Sequence, residues 1–230
     1  MGCRASERKR VSVPEVASRV FGARLPVAVG YREWLADAAV TRGLIGPRET
    51  DRLWDRHILN CAVIGAEFGP DERVVDIGSG AGLPGIPLAI ARPDLRVVLV
   101  EPLLRRTTFL DEVVADLGLD NVTVVRGRAE EKPIVTEHGG ADAVTSRAVA
   151  PLDRLVRWSA PLIRPGGRLV AMKGSRAQAE IDEHAPACAK AGIVDLAVAV
   201  VGGELLAEPT TLVTGRKTGG GKTKRPRSGR

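Results

Sequence analysis

From residue 73 onward, short apolar runs alternate with longer segments of helical character, and this alternation limits the folds open to the chain. The runs have the length and the β-branched content of strands: RVVDIG, LRVVLVEP, NVTVVRG, ADAVTSRA, GGRLVAMKG, IVDLAVAV and PTTLVTGRK. Strands that are apolar on both faces and separated by helices form a parallel sheet covered on both sides. We therefore predict an α/β fold with a doubly wound, mostly parallel, seven-stranded sheet.

The segments that flank this alternation have different patterns. Residues 13–68 carry apolar residues at three- and four-residue spacing, as in ETDRLWDRHILNCAVIGAEF, which predicts a helical N-terminal extension. We place the sheet domain at residues 69–214. Residues 1–12 are polar, and residues 215–230 are rich in Gly, Lys and Arg, so we predict that both ends are disordered.

The net charge of +6 is concentrated at the C-terminal end of the chain. Residues 215–230 contain seven Lys or Arg and no acid, which leaves the rest of the chain close to neutral. Binding to a nucleic acid would therefore depend on this basic tail or on a local patch. The tail sequence GGGKT resembles the end of a phosphate-binding loop, but Arg216 stands where the first glycine is needed, so we reject that interpretation.

No apolar run approaches the roughly 18 residues that a membrane span requires. The charged start MGCRASERKR lacks the apolar core of a signal peptide. Cys3, Cys61 and Cys188 are widely spaced and suggest neither a disulfide framework nor a zinc site. We expect a cytoplasmic protein without membrane contact or a bound metal.

The glycine-rich stretch VVDIGSGAGLPGIPL has two interpretations. Gly80, Gly82 and Gly85 spell the GxGxxG of dinucleotide-binding proteins, whereas Gly78, Gly80 and Gly82 spell GxGxG two residues after Asp76. In the second register an acid ends the strand and a glycine makes the immediate turn, as in class I methyltransferases. A carboxylate suits the sulfonium of S-adenosyl-L-methionine and would repel a pyrophosphate. We therefore assign Asp76, Gly78, Gly80 and Gly82 to an adenosylmethionine site.

Two more charged residues end predicted strands. Glu101 ends the second strand and can bind both ribose hydroxyls, which either cofactor offers. A nicotinamide-dependent oxidoreductase therefore stays open as an alternative, as does a catalytically silent RNA-binding protein. Arg147 ends the fourth strand, where active-site residues of such sheets collect. Its guanidinium could bind the cofactor carboxylate or a guanine edge, or form a surface salt bridge.

Motifs that are missing from the sequence narrow the methyl acceptor. Methylation of adenine or cytosine amines uses an Asp/Asn-Pro-Pro-aromatic motif after the fourth strand, where this chain has TSRAVAPL. Methylation of pyrimidine carbon 5 needs a thiolate, and no cysteine lies beside that strand; Cys61 is interpreted as a core residue. Guanine N7 already carries a nucleophilic lone pair and needs only to be positioned. These observations favour guanine N7.

Five motifs taken together resemble one bacterial family: RHILN, DIGSGAGLPGIPLAI, GRAEE, SRAVA and MKG. They resemble the glucose-inhibited division protein B family from about Tyr31 to Val213. The resemblance implies a class I, Rossmann-like methyltransferase that transfers a methyl group from S-adenosyl-L-methionine to N7 of guanine 527 in 16S ribosomal RNA. The implied partner is 16S rRNA or the small ribosomal subunit, and we expect a monomer.

The resemblance also implies roles for single residues. Gly78 and Leu83 line the cofactor, Ala129 and Glu130 touch its adenine, and Arg147 meets it near the reacting end. The implied catalytic residues are Arg147, His57 and Asn60, of which the last two face the acceptor pocket. Contacts with RNA are expected from five basic residues: Arg56, Lys173, Lys222, Lys224 and Arg225.

Some of these residues also have a structural interpretation. His57 could be a helix histidine tucked under the sheet edge, and Lys173 could cap the fifth strand. Trp34, Trp54 and Trp158 are interpreted as core residues rather than as platforms for stacked bases. The chain departs from the family pattern at Asn60-Cys61, where the family usually has Asp-Ser.

Overall fold

The computed structural model describes residues 13–147 and 149–219, which form a seven-stranded sheet with helices on both faces. The strands are β1 (Arg73–Ile77), β2 (Arg96–Glu101), β3 (Val122–Arg126), β4 (Ala141–Arg147), β5 (Ile163–Met172), β6 (Ile193–Val201) and β7 (Thr210–Lys217). Their order is β3-β2-β1-β4-β5-β7-β6. β7 runs antiparallel to β5 and β6, and the other pairs are parallel. The predicted fold class is confirmed.

The helices fall into an N-terminal group and a group that connects the strands. The N-terminal group contains α1 (Glu15–Phe21), α2 (Leu25–Trp34), shorter 3-10 and π-helical turns, and α3 (Asn60–Ala62). The connecting helices are α4 (Gly85–Ala91), α5 (Leu104–Asp116), α6 (Lys132–His138), α7 (Leu152–Ser159) and α8 (Ala177–Lys190). The chain therefore crosses the sheet through a helix after each of the first five strands.

The central strands face two cores on opposite sides of the sheet. Along β2, Val97 and Leu99 pack into one core, and Val98 and Val100 pack into the other. The first core also receives α4, α5 and the N-terminal helices, and the second receives α7 and α8. These strands are apolar without interruption because both of their faces are buried.

The N-terminal helices belong to the first core. Phe21, Tyr31 and Ile58 are buried in the same cluster as Val74 of β1. The Tyr31 hydroxyl donates a buried hydrogen bond of 2.8 Å to the carbonyl oxygen of Ala81, in the loop after β1. The helical extension predicted from the sequence is thus packed directly against the glycine-rich loop.

Two details differ from the sequence-based prediction. The helix α6 was not expected between the third and fourth strands. The strand β7 continues to Lys217, three residues past the predicted domain boundary, so the start of the predicted disordered tail is wrong. Arg216 in this strand forms a salt bridge of 3.0 Å with Asp195 instead of extending into a tail.

Predictions for the two ends of the chain lie outside the described residues. They are the disorder of residues 1–12 and 220–230 and the RNA contacts of Lys222, Lys224 and Arg225. Across residues 13–147 and 149–219, no helix is long and apolar enough to cross a membrane.

Close packing at the start of α4 generates a stability prediction. A Cβ atom on Gly85 would lie 2.9 Å from Oδ2 of Asp76 and would overlap the side chain of Leu99, which is fully buried. We expect Gly85→Ala to lower the free energy of unfolding by about 1–3 kcal/mol through overpacking. Urea unfolding measures this change. Gly46→Ala is the matched control, because a Cβ there meets nothing within 4 Å; equal effects at both positions would contradict the packing argument.

Candidate active site

The loop between β1 and α4 needs glycine for steric reasons. Gly78, Gly80 and Gly82 have φ angles of +70°, +59° and +97°, in the left-handed region that side chains rarely adopt. A Cβ on Gly78 would lie 2.9 Å from Cγ2 of Val149, and one on Gly82 would overlap Ile86. The loop therefore folds tightly against its surroundings and brings its backbone to the carboxyl end of the sheet.

The backbone donors of this loop are used inside the protein. The N–H groups of Gly78 and Ser79 donate to the carbonyl of Val100, at 2.8 and 3.4 Å. The N–H groups of Gly82 and Leu83 donate to the carbonyl of Ser79, at 2.7 and 3.0 Å. A dinucleotide site instead presents loop and helix N–H groups to a pyrophosphate. Donors that are already engaged do not suit that ligand, which counts against the oxidoreductase alternative.

Asp76 lies behind the loop. Its side chain is fully buried, and its Oδ2 accepts a hydrogen bond of 3.1 Å from the N–H of Gly85. Burial raises the pKa of Asp76 to about 7. The carboxylate supports the turn from within and does not border the cavity in front of it. Its predicted contact with a cofactor stays a prediction.

A cavity of about 450 Å³ opens in front of the loop, at the carboxyl ends of β1, β2, β3 and β4. The structure brings five of the predicted cofactor residues together in its wall: Gly78, Glu101, Ala129, Glu130 and Arg147. Gly80, Gly82 and Leu83 are not in the wall; they shape the loop behind it. This is the point where the strand order reverses between β1 and β4, and ligands of open α/β sheets bind at such points.

Glu101 presents a fixed carboxylate to this cavity. The residue is 1% exposed, and it accepts hydrogen bonds from the N–H groups of Leu103 at 3.1 Å and Gly80 at 3.0 Å. The guanidinium of Arg106 lies 3.4 Å from the same carboxylate. Carboxylate oxygens have further acceptor capacity, which suits the two hydroxyls of a ribose.

Sequence reasoning missed several residues of the cavity wall. They include Leu103, Arg106, Arg128 and Trp158. Leu103 and Arg106 lie two and five residues after Glu101, so their position after the second strand was an available signal. Trp158 reaches the cavity from α7, which depends on how that helix packs. Trp158 is partly buried against the second core, so its interpretation as a core residue holds only in part. Trp54 is buried in the first core.

A second, larger cavity of about 960 Å³ adjoins the first. Arg147 and Val149 border both cavities. The larger cavity also contains three other predicted residues, namely Arg56, Asn60 and Lys173. Three of the residues predicted for the acceptor or for RNA therefore lie on one side of Arg147, and four of the residues predicted for the cofactor lie on the other.

Arg147 is held by the N-terminal helices. Its Nη2 lies 2.6 Å from Nδ1 of His57, and its Nη1 lies 3.5 Å from Sγ of Cys61. Nε2 of His57 lies 2.8 Å from Oε2 of Glu49. Burial and the charge of Arg147 lower the pKa of His57, against the raising effect of Glu49. His57 is thus tucked beneath Arg147 and does not itself border the larger cavity.

Lys173 has its charge balanced within the protein. Its Nζ donates to the carbonyl of Ala150 at 2.8 Å and forms a salt bridge of 2.7 Å with Glu180 of α8. The side chain is 7% exposed. These contacts support its interpretation as a cap at the end of β5, and its contact with RNA stays a prediction.

Comparison with known proteins identifies the family. The sequence model of the GidB family, described as rRNA small subunit methyltransferase G, matches residues 24–208. The chain belongs to this family. A protein of Mycolicibacterium gilvum (strain PYR-GCK) named Ribosomal RNA small subunit methyltransferase G is 56% identical over 217 residues, 94% of this chain and 95% of that protein. Its namesake from Corynebacterium glutamicum (strain ATCC 13032) is 57% identical over 207 residues, 90% and 93% of the two chains.

Solved structures support the fold independently. The S-adenosylmethionine-dependent methyltransferase SibL in its apo form aligns with a TM-score of 0.57 and 19% identity, over 84% of this chain and 70% of that chain. M. jannaschii TYW2 in complex with AdoMet aligns with a TM-score of 0.54 and 19% identity, over 72% and 77%. The predictions of the family, the class I methyltransferase fold and the cofactor S-adenosyl-L-methionine are confirmed.

The residues around the smaller cavity fit this cofactor. The carboxylate of Glu101 matches ribose hydroxyls, Arg147 matches a carboxylate, and Leu103 and Ala129 offer apolar surface to an adenine. Gly78 brings backbone to the cavity without a side chain in the way. We expect these residues to hold the cofactor.

Cofactor binding can be tested by thermal stability. We expect S-adenosyl-L-methionine, and not NAD, to raise the melting temperature, because a ligand at a hundredfold excess over its Kd stabilises the folded state by about 2.7 kcal/mol. Gly78→Val should abolish the shift. Gly43→Val is the control, because Gly43 also has a positive φ, +67°, but faces open space. A shift with NAD alone would contradict the assignment.

Proposed function

We propose that this protein transfers a methyl group from S-adenosyl-L-methionine to N7 of a guanine, by resemblance guanine 527, in 16S ribosomal RNA. The observation that carries the proposal is the position of Arg147, which borders both the cofactor cavity and the larger cavity beside it. A base in the larger cavity would meet the cofactor at this residue. Transfer between two bound molecules needs such a shared boundary.

Methylation of guanine N7 requires that the base be positioned, and it requires no proton transfer before attack. Bound S-adenosyl-L-methionine supplies a methyl group on a positively charged sulfur. The lone pair of guanine N7 is not protonated at neutral pH, so no residue has to remove a proton before attack. The task of the protein is to align the base and to exclude competing positions. The guanidinium of Arg147 carries only N–H donors, so it can donate a hydrogen bond to O6 of guanine.

The cysteine chemistry of the site does not favour pyrimidine carbon 5. Cys61 lies beside Arg147 at 3.5 Å, but burial raises its pKa to about 11, so it stays a thiol at neutral pH. Carbon-5 methylation needs a thiolate that attacks the base. Cys188 is buried on α8, and burial raises its pKa as well. Guanine N7 needs neither group.

The larger cavity has a local basic character that suits RNA. Four cations, Arg56, Arg147, Lys173 and Arg176, line it against two acids, Glu180 and Glu183. Relatives of this chain are named for the RNA of the small ribosomal subunit. The substrate in this proposal is 16S rRNA or the small subunit itself, and the protein acts as a monomer in the cytoplasm, where bacterial ribosomes are assembled.

The central experiment is methyl transfer to RNA. Ribosomal RNA from cells that lack this protein is incubated with the protein and with S-adenosyl-L-methionine carrying a labelled methyl group. Mass spectrometry then locates the label, and we expect N7-methylguanine at one position of 16S rRNA. A label on an exocyclic amine or on carbon 5 would overturn the proposed acceptor. No transfer to any RNA would favour a silent RNA-binding protein.

Arg147 provides a test of the residue that joins the two cavities. We expect Arg147→Ala to lower the rate of methyl transfer by about 10²–10³-fold, as for loss of one charge-assisted donor at a reacting centre. The fold should survive, because the side chain lies at the edge of the core. Arg154→Ala is the control, since Arg154 lies exposed on α7. Parental activity in Arg147→Ala would show that the residue is structural.

The C-terminal segment generates a prediction about salt dependence. Residues 220–230 carry five Lys or Arg, including Lys222, Lys224 and Arg225. Each phosphate neutralised in single-stranded RNA contributes about −0.7 to the slope of log K against log salt. If three charges are used, truncation after Gly219 should flatten the slope by about 2, with cofactor affinity and the methylated position unchanged. Equal slopes for both proteins would restrict RNA binding to residues 1–219.

A further inference from the structure

We propose that Glu49 is a positioning residue for methyl transfer: it fixes the tautomer of His57, and His57 in turn holds Arg147 between the two cavities. The proposal uses the methyl transfer described above for its activity measurements. Glu49 lies on the 3-10 helix Pro47–Arg52, eight residues before His57, and does not border either cavity. Its effect on the reaction would therefore be transmitted through the histidine.

The first step follows from the chemistry of arginine. A guanidinium has only N–H donors, and it stays protonated at every pH at which the protein is folded. Nδ1 of His57 lies 2.6 Å from Nη2 of Arg147, so Nδ1 must be the acceptor of this hydrogen bond. A nitrogen that accepts carries no proton. The imidazole of His57 is therefore neutral and carries its proton on Nε2.

The second step follows from the chemistry of the carboxylate. Nε2 of His57 lies 2.8 Å from Oε2 of Glu49, and an ionised carboxylate can only accept. The N–H of Nε2 therefore donates to Glu49. The hydrogen bond to His57 lowers the pKa of Glu49, so the carboxylate stays ionised down to pH values below its ordinary range of titration. Glu49 selects the one neutral tautomer of His57 that can accept from Arg147.

The opposite tautomer would break the arrangement. A proton on Nδ1 would face the N–H groups of Arg147, so that two donors would point at each other. His57 is 7% exposed, so solvent cannot readily compensate for the lost hydrogen bond. Arg147 would then lose its hydrogen bond to His57 and keep only the 3.5 Å contact with Sγ of Cys61, so its place between the cavities would be less well defined. A buried histidine with a free choice of tautomer would hold Arg147 only part of the time.

The charges around His57 also predict a pH dependence. The groups that face it are Glu49, Arg147 of β4, and Arg56, which lies 3.7 Å from Glu49 in the same helical region. Burial and Arg147 lower the pKa of His57, so the neutral form dominates at neutral pH. As the pH falls through this lowered pKa, Nδ1 becomes protonated and the contact with Arg147 is lost. Activity should therefore decline on the acid side.

The test compares Glu49→Gln with a matched control. Glutamine keeps the size of the side chain but can donate to Nε2 as well as accept, so it no longer selects a tautomer. The control is Glu112→Gln, because Glu112 forms a salt bridge of 2.6 Å with Arg42 and is 39% exposed, against 32% for Glu49. Both variants are measured for kcat, for KM of RNA and cofactor, and for the pH profile of kcat.

We expect Glu49→Gln to lower kcat by about 10–100-fold, as removal of a residue that orients a functional histidine does at metal sites. Glu49 raises the pKa of His57, so its neutralisation should also move the acid limb of the profile to lower pH. KM values should change little. Glu112→Gln should leave kcat and the profile unchanged. An unchanged kcat and pH profile in a folded Glu49→Gln protein would overturn the proposal.

A spectroscopic measurement tests the tautomer without any RNA. The chain has three histidines, so ¹⁵N NMR of the ring nitrogens can be assigned by replacing each in turn. Wild-type His57 should show a protonated Nε2 and a bare Nδ1 at neutral pH, and Glu49→Gln should show a mixture. A protonated Nδ1 in the wild type would overturn the inference. If the wild type has the expected tautomer but methylates no RNA, the proposed function fails and the tautomer assignment stands.

Discussion

The loop after β1 is the constraint on which the site depends. Gly78, Gly80 and Gly82 adopt positive φ angles, and their N–H groups bond to β2, to Glu101 and to the loop itself. The loop is therefore held in place within the protein, and it offers backbone surface rather than a set of free donors, while the neighbouring strand β2 supplies the carboxylate of Glu101. A cofactor with a sulfonium and a ribose suits such a loop, and a pyrophosphate does not. The loop therefore selects its ligand through its N–H groups, which already donate hydrogen bonds within the protein.

The N-terminal helices complete the site from the other side. Tyr31 bonds to Ala81 in the glycine loop, and His57 bonds to Arg147 at the end of β4. The sheet supplies the cofactor cavity, and the helices supply Arg56 and Asn60 to the larger cavity. The extension shares a core with β1 and α4, so in the proposed reaction it would help to fix the position of the base.

The sequence predicted the sheet well because its strands are buried on both faces and so lack polar interruptions. It failed where long-range pairing overrides local composition. The strand pattern PTTLVTGRK already reached Lys217, but the basic composition of residues 215–217 placed the predicted tail boundary too early, and these residues form the end of β7 between β5 and β6. A Cβ on Gly215 would lie 2.7 Å from Ile193, so the glycine is needed for packing. The helix α6 was missed because only Ile134 of its seven residues is buried, so the segment lacks the apolar spacing that marks a helix.

The sequence predicted the site residues that lie at strand ends and missed those whose position depends on how separate segments pack. Gly78, Glu101 and Arg147 were predictable, because the carboxyl ends of parallel strands converge on one edge. Glu49 was not, because its contact with His57 arises from how a 3-10 helix folds back on the following turn. Net charge does not reveal where RNA could bind, because residues 1–214 are close to neutral. Individual charges are also paired within the fold, as Lys173 at the end of β5 is paired with Glu180. Within the described residues, the arginines Arg56, Arg147 and Arg176 are brought together around the larger cavity by the fold, where they could meet the proposed RNA substrate.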